Sequence, residues 1–231
     1  MEKNKVTTYL LYAIGEIFLV VIGILIAVSI NNWNQRRINM EKEQVFMSRI
    51  KEESQWNVEA LDAQIEEYQE HSKKLDSIAY LLSEGFPQDE ELEIPFAPYF
   101  IGGWMLKNSA YTELVSSGAM SIINDVKLRE MLDEAASMQI IAAQALEYWR
   151  SMSVEDVSVF RPYLIDRETR DSDEFLTLDY HRMREDPEAI ASLQFWSNAN
   201  HKFAIGIDEF KDHYERIRDR IGCLELKTCI D

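Results

Sequence analysis

Positive charge, cysteine and histidine are all scarce in this chain, and each scarcity closes off a class of function. Its 231 residues carry 24 Lys and Arg against 41 Asp and Glu, a net charge of −17. Binding to nucleic acid rests on neutralising phosphates with cationic side chains, so no nucleic-acid partner is expected. The same balance argues against broad contact with an anionic membrane surface. Only two cysteines occur, Cys223 and Cys229, both in the last nine residues. Their spacing is not C-x-x-C, and no Cys or His pair stands near to complete a zinc site. A local disulfide in an oxidising compartment and two unpaired thiols both remain open.

None of the four histidines, His71, His181, His201 and His213, has the Glu three residues earlier that a di-iron bundle requires. Glu209 and His213 share a helix face and form a metal half site on paper, but an exposed i,i+4 pair is the commoner meaning of that spacing. The chain lacks G-x-S-x-G, G-x-x-x-x-G-K, G-x-G-x-x-G and H-E-x-x-H. No catalytic residue, metal or cofactor is therefore expected. Strand-type alternation between turn signals is missing as well, which leaves an all-α reading.

What the chain does have is an apolar run from Tyr9 to Ile30 interrupted by one charge, Glu16. After Gly23 neither Gly nor Pro recurs until Gly85. At about 1.5 Å per residue the run can cross a hydrocarbon core of roughly 30 Å. A signal peptide would have a shorter apolar core and a small-residue cleavage site. A soluble core helix is rarely apolar all round over this length, and an interfacial helix would need a charged face. Tyr9 and Tyr12 at one end and Trp33 at the other suit the two membrane interfaces. The expectation is a tail over 1–8 and a transmembrane helix over 9–33.

Within that helix Ala13, Glu16, Val20, Gly23 and Ala27 form one stripe by steps of three and four. Small residues admit a second backbone, and a polar side chain can bond across the contact. A lone carboxyl costs about 2.5–3.5 kcal/mol at mid-bilayer, so it usually meets a partner or protonates. The stripe therefore reads either as a helix–helix interface or as a protonated Glu16 near the headgroups. Orientation is not settled by charge. Lys3 and Lys5 precede the span and Arg36, Arg37 and Lys42 follow it, but large domains cross largely regardless of such counts.

Residues 34–222 read as a helical bundle domain and 223–231 as a tail. A polar hinge over Asn34–Asn39 leads into Val58, Leu61, Ile65, Tyr68, Ser72, Leu75, Ala79 and Leu82, spaced by three and four as in a bundle seam. Gly85 and Pro87 end that helix. The next stretch holds an acidic run (Asp89, Glu90, Glu91, Glu93) and the aromatics Phe96, Tyr99, Phe100 and Trp104, which either cover a bundle end or offer a docking patch. A short helix follows from Ala110, capped by Asn108 or Ser109 and closed by Gly118. Asp125 opens a helix of about 35 residues that stops at Pro162, with Leu128, Met131, Leu132, Ala135, Ile141, Ala142, Leu146, Trp149 and Met152 as its apolar positions. Arg167 to Glu174 is a charged loop. Asp186 and Pro187 begin a last helix that ends at Gly222. Three long helices and a short one make an antiparallel bundle.

Two blocks carry a family resemblance. The segment Tyr9-Leu-Leu-Tyr-Ala-Ile-Gly-Glu-Ile-Phe-Leu-Val-Val-Ile-Gly-Ile-Leu-Ile-Ala, closing with Ile30-Asn-Asn-Trp-Asn34, is the first. The second is Asn108-Ser-Ala-Tyr-Thr-Glu-Leu-Val-Ser-Ser-Gly118 with Ile122-Ile-Asn-Asp-Val-Lys-Leu128. Together they resemble an uncharacterised family of bacterial single-pass membrane proteins. That family usually has a basic extension before its span, of which Lys3 and Lys5 are what this chain retains. The resemblance implies a cytoplasmic N-terminus and an outward-facing helical domain, and it supplies no activity.

The functional expectation is a membrane-anchored, non-enzymatic interaction or sensor module of the bacterial envelope, in the inner membrane with its domain in the periplasm. It would act through a protein partner or a homo-oligomer. The residues singled out are Glu16, Val20, Gly23 and Ala27 in the span, and Tyr111, Glu113, Ser117 and Gly118 in the domain. The alternative is a cytoplasm-facing membrane effector that oligomerises through its span.

Overall fold

The computed structural model describes residues 3–84, 103, 105–165 and 177–229. The acidic run 89–93, the aromatics Phe96, Tyr99, Phe100 and Trp104, and the charged loop 167–174 lie outside them. Helix α1 spans Lys3–Glu84, α2 Ser109–Ser116, α3 Val126–Phe160, α4 Tyr180–Met183 and α5 Pro187–Leu226. Single 3₁₀ turns cover Met120–Ile122 and Arg161–Tyr163. The described residues are thus helical apart from turns and one minimal ladder, Leu164–Ile165 (β1) against Thr177–Leu178 (β2).

Helix α1 runs unbroken for 82 residues. Its stretch from Tyr12 holds a segment long and apolar enough to cross a membrane, by length and composition, and every residue from Tyr12 to Arg37 is exposed. The hinge expected at Asn34–Asn39 does not form. That stretch has no Gly or Pro, and its polar side chains bond along the helix: Gln35 donates to Asn39 Oδ1 at 3.1 Å and Arg37 to Asn34 Oδ1 at 3.4 Å. Polar composition alone does not break a helix when each amide has its carbonyl four residues back.

From Phe46 onward α1 becomes the spine of the core. Val58, Leu61, Tyr68, Leu75, Ala79 and Leu82 are all buried, as the seam spacing predicts. Helix α5 lies against it, and the contacts pair in reverse order along the two helices. Lys51 meets Glu225, Asp62 meets Lys211, and Ser72 meets Ser197. The Ser72 position in an apolar seam has a steric reason. Each serine hydroxyl lies 3.0 Å from the other helix's serine carbonyl, so two small residues let the backbones close up without orphaned groups.

Among the described residues the core falls into two clusters. The one nearer the apolar segment joins Ile50, Leu61 and Tyr68 of α1 to Leu114 of α2, Leu128 and Leu132 of α3, and Ile207, Phe210 and Ile217 of α5. The far one gathers Leu75, Ile78 and Leu82 with Phe160, Met183, Leu193 and Trp196. Each fully buried large side chain contributes about 1.5–3 kcal/mol relative to exposure. Trp196, fully buried, satisfies its indole N–H on Asp156 at 2.9 Å.

Local signals set the ends. Asp125 accepts from the Leu128 amide at 2.7 Å, and Asp186 from those of Glu188 and Ala189 with Pro187 next in line. Helix α5 overruns the expected stop at Gly222 by a turn and ends at Leu226. Leu224 packs on the core beyond that glycine, and Lys227 closes the helix in the left-handed region at φ 55°. A glycine costs a helix interior only about 1 kcal/mol, which packing outweighs. Of the apolar positions of α3, Leu128 and Leu132 are buried while Ile141 is 65% exposed.

Candidate functional site

Helix α2 is too short to hold itself together, and its neighbours supply its cap. Asn108 stands at the N-cap but makes no cap bond of its own. The carboxylate of Glu53, from α1, takes the Ser109 hydroxyl and the Ala110 amide instead. A negative charge there also complements the helix dipole. One turn further along α1, the fully buried Asn57 brackets Lys107, accepting from its amide at 2.8 Å and donating to its carbonyl at 2.9 Å. The Lys107 ammonium then lies over the Trp56 ring at 4.4 Å.

From the other side, Asn108 donates to Gln139 of α3 at 2.8 Å, and Gln139 donates to the Tyr214 hydroxyl of α5 at 2.6 Å. Burial pushes the Tyr214 phenol up to about 12, so it stays neutral and keeps its proton for donation. Glu53, Asn57, Asn108, Gln139 and Tyr214 surround a cavity of about 30 Å³. That admits one or two waters and falls far below the 300–1,000 Å³ typical of a substrate pocket. The geometry is that of a polar junction tying three long helices through α2.

The motif residues join this junction at different points rather than converging. Tyr111 donates to Asp133 of α3 at 2.9 Å, and burial followed by that bond raises its phenol above the ordinary range. Glu113 faces the opposite way and pairs with Arg49 of α1 at 2.6 Å. Ser117 hydrogen-bonds back to the Glu113 carbonyl at 2.6 Å, and Gly118 takes φ +68°. The Ala119 amide reaches the Leu114 carbonyl and the Gly118 amide that of Val115, the paired bonds of a Schellman C-cap. The block is a helix and its stop signal.

A second polar knot fastens the start of α3. Glu43 accepts from the Asn124 amide and side chain, both at 2.6 Å. Arg220 of α5 grips Asp125 through two nitrogens at 3.2 and 2.7 Å. Directly beyond it Cys223 and Cys229 form a disulfide, resolving the alternative that their spacing left open. The expectation of an exposed Glu209–His213 pair needs correction, because His213 is fully buried. Its Nε2 donates to the Met131 carbonyl at 2.7 Å and its Nδ1 accepts from Arg216 at 3.0 Å. Both ring nitrogens are thereby engaged. Among the described residues no three His, Cys, Asp or Glu gather as a metal site.

In the apolar segment Glu16, Val20, Gly23 and Ala27 are exposed, and a Cβ built on Gly23 would meet nothing within 4 Å. Glu53, Asn57, Gln139, Tyr214 and Arg220 escaped the sequence reading. Asn57 and Ser54 continue the seam backward from Val58, so polar residues at core positions were the available signal.

A model of a family of unknown function (DUF6090) matches residues 16–139. No curated protein matches, and neither does any solved structure. The matched span begins at Glu16 and closes at Gln139, so it holds the Gly23 stripe, α2 and most of the polar junction.

Proposed function

This chain belongs to DUF6090, whose model takes in residues 16–139 of 231, and on that footing we propose that it is a non-enzymatic, membrane-anchored interaction or sensor module. It sits in the bacterial inner membrane through residues 9–33 and holds an antiparallel helical bundle in the periplasm. The observation that carries this reading is the continuity of α1 from an exposed apolar segment into the buried spine of the domain. Trp33 and Glu43, which bonds Asn124 of the domain, are 10 residues apart, a helical stalk of about 15 Å. A helix without a hinge passes rotation or axial displacement from membrane to core, which is what a module coupled to a partner helix needs.

The Cys223–Cys229 disulfide supports the oxidising side of the membrane, since cytosolic disulfides are rare. In the span, the Glu16, Val20, Gly23 and Ala27 stripe serves a second copy or a partner helix. The cytoplasm-facing reading keeps one point in its favour. Arg36, Arg37 and Lys42 behind the span outnumber Lys3 and Lys5 before it.

Side-specific thiol labelling separates the two. With a membrane-impermeant maleimide on spheroplasts, Cys223 and Cys229 should react without lysis, and only after a reductant has opened the disulfide. Labelling that needs lysis and no reductant would put the domain in the cytoplasm.

A further inference from the structure

The exposed Ile141 belongs to a feature that the polar junction leaves unused. Between α3 and α5 runs an apolar groove of about 250 Å³, walled by Met138, Ile141 and Leu146 on one side and Phe203, Gly206 and Phe210 on the other. Gly206 opens it: a Cβ placed there would meet nothing within 4 Å. Lys202 is the one charged residue among its described lining, and it makes no ion pair with any described residue of this strongly acidic chain. An apolar slot with one uncommitted cation at its edge complements an amphiphile with one negative charge. From these features we infer that the groove binds a single-chain fatty carboxylate, its hydrocarbon along Phe203, Gly206 and Phe210 and its head at Lys202.

Size argues against a second copy as the occupant. Ten residues line the groove, whereas a stable protein interface engages about 20–30 residues on each side. The volume lies just under the range for drug-sized ligands, which suits one chain rather than a two-chain lipid. Position points the same way, given the membrane reading above. Lys211, just beyond the groove, pairs with Asp62 of α1. That level is about 44 Å along the helix from Trp33, beyond the reach of tails still seated in a bilayer.

Photolabelling of the full chain in nanodiscs tests this without reference to topology. The probes are a diazirine-bearing decanoic acid and the matching decanol, with adducts mapped by mass spectrometry. The acid should label peptides spanning 138–146 or 202–210. Filling the groove with Gly206→Leu, or with Ala145→Phe should the first variant lose helicity, should cut that labelling about tenfold. Lys202→Ala should lower labelling by the acid roughly tenfold and leave the alcohol unchanged. Adducts confined to residues 12–33, equal labelling in the filled variants, or acid and alcohol responding alike to Lys202→Ala would each overturn the proposal. Chain-to-chain cross-links across the groove would overturn it in favour of a second copy.

Discussion

Asp125 performs two tasks that can be separated by substitution. It caps α3 through the Leu128 amide, and it receives both nitrogens of Arg220 with the two side chains only 16% and 12% exposed. Asp125→Asn keeps a good cap and loses the charge, so it should cost about 1–2 kcal/mol. Asp125→Ala loses the cap as well, at about 1 kcal/mol, and strands the guanidinium, for about 2.5–4 kcal/mol in all. Arg220→Met leaves the cap intact and should cost about 1.5–3 kcal/mol. Removing both partners should cost less than the sum of the single changes, because neither charge is then left alone. The assay is urea unfolding of residues 39–231, followed by circular dichroism in non-reducing buffer. The pH dependence gives a second check. The Arg220 hydrogen bonds, aided by the Leu128 amide and opposed by burial, hold the Asp125 carboxyl below its ordinary value. A depressed folded pKa means stability that is present above the unfolded value of about 4 and lost as pH falls through the folded one. The gap between parent and Asp125→Asn should therefore be full at pH 7 and shrink below about pH 4. Equal costs for the Asn and Ala variants, or a gap at pH 2.5 as wide as at pH 7, would refute the division of roles.

Gly118→Ala should destabilise by about 1 kcal/mol through backbone strain alone, since its φ is +68° and the space around it is open. Thermal melts should show a drop of roughly 2–4 °C, with Gly118→Asn milder. Reducing Cys223–Cys229, which closes a loop with a sequence separation of 6, should remove at most about 2 kcal/mol and lower Tm without changing helicity. A helicity loss beyond the last turn of α5 would show that the bridge holds more than its own tail. Tyr180 and Tyr214, both pushed up to about 12 by burial, should stay protonated in an absorbance titration until well above pH 10. Raised folded values mean that their contribution is intact below about pH 10 and fades as pH climbs through 12.

The helices were legible because their signals are local. The Val58–Leu82 seam, the Asp125 and Asp186 caps and the Gly118 stop each depend on residues within a turn or two of one another. The misplaced features depend on what packs from afar. Nothing near Gly222 says that Leu224 finds a core contact, and nothing near His213 says that the Met131 carbonyl lies above it. Ile141 lies about 140° round the helix from Leu128 and Leu146, off the buried face, and among the described residues no third helix covers that flank of α3 and α5. The polar junction was invisible for the same reason. Glu53 caps a helix 56 residues downstream, and Gln139 meets a hydroxyl 75 residues away. The block around Tyr111 stood out through a family resemblance, and its place as a strut between α1 and α3 comes from the packing.

Signalling through partner helices requires the exposed stripe in the first helix to be a contact surface, and cross-linking the full chain in membranes tests that most directly. Gly23→Ile puts a branched side chain where a second backbone would approach, whereas Glu16→Leu removes one interhelical bond worth about 0.6 kcal/mol on average, up to about 1–2 in model peptides. Val21→Leu lies off the stripe and serves as the control. The predicted order of association is parent equal to Val21→Leu, then Glu16→Leu, then Gly23→Ile lowest. Four equal yields would contradict the account and leave Glu16 as a carboxyl that sits near the headgroups.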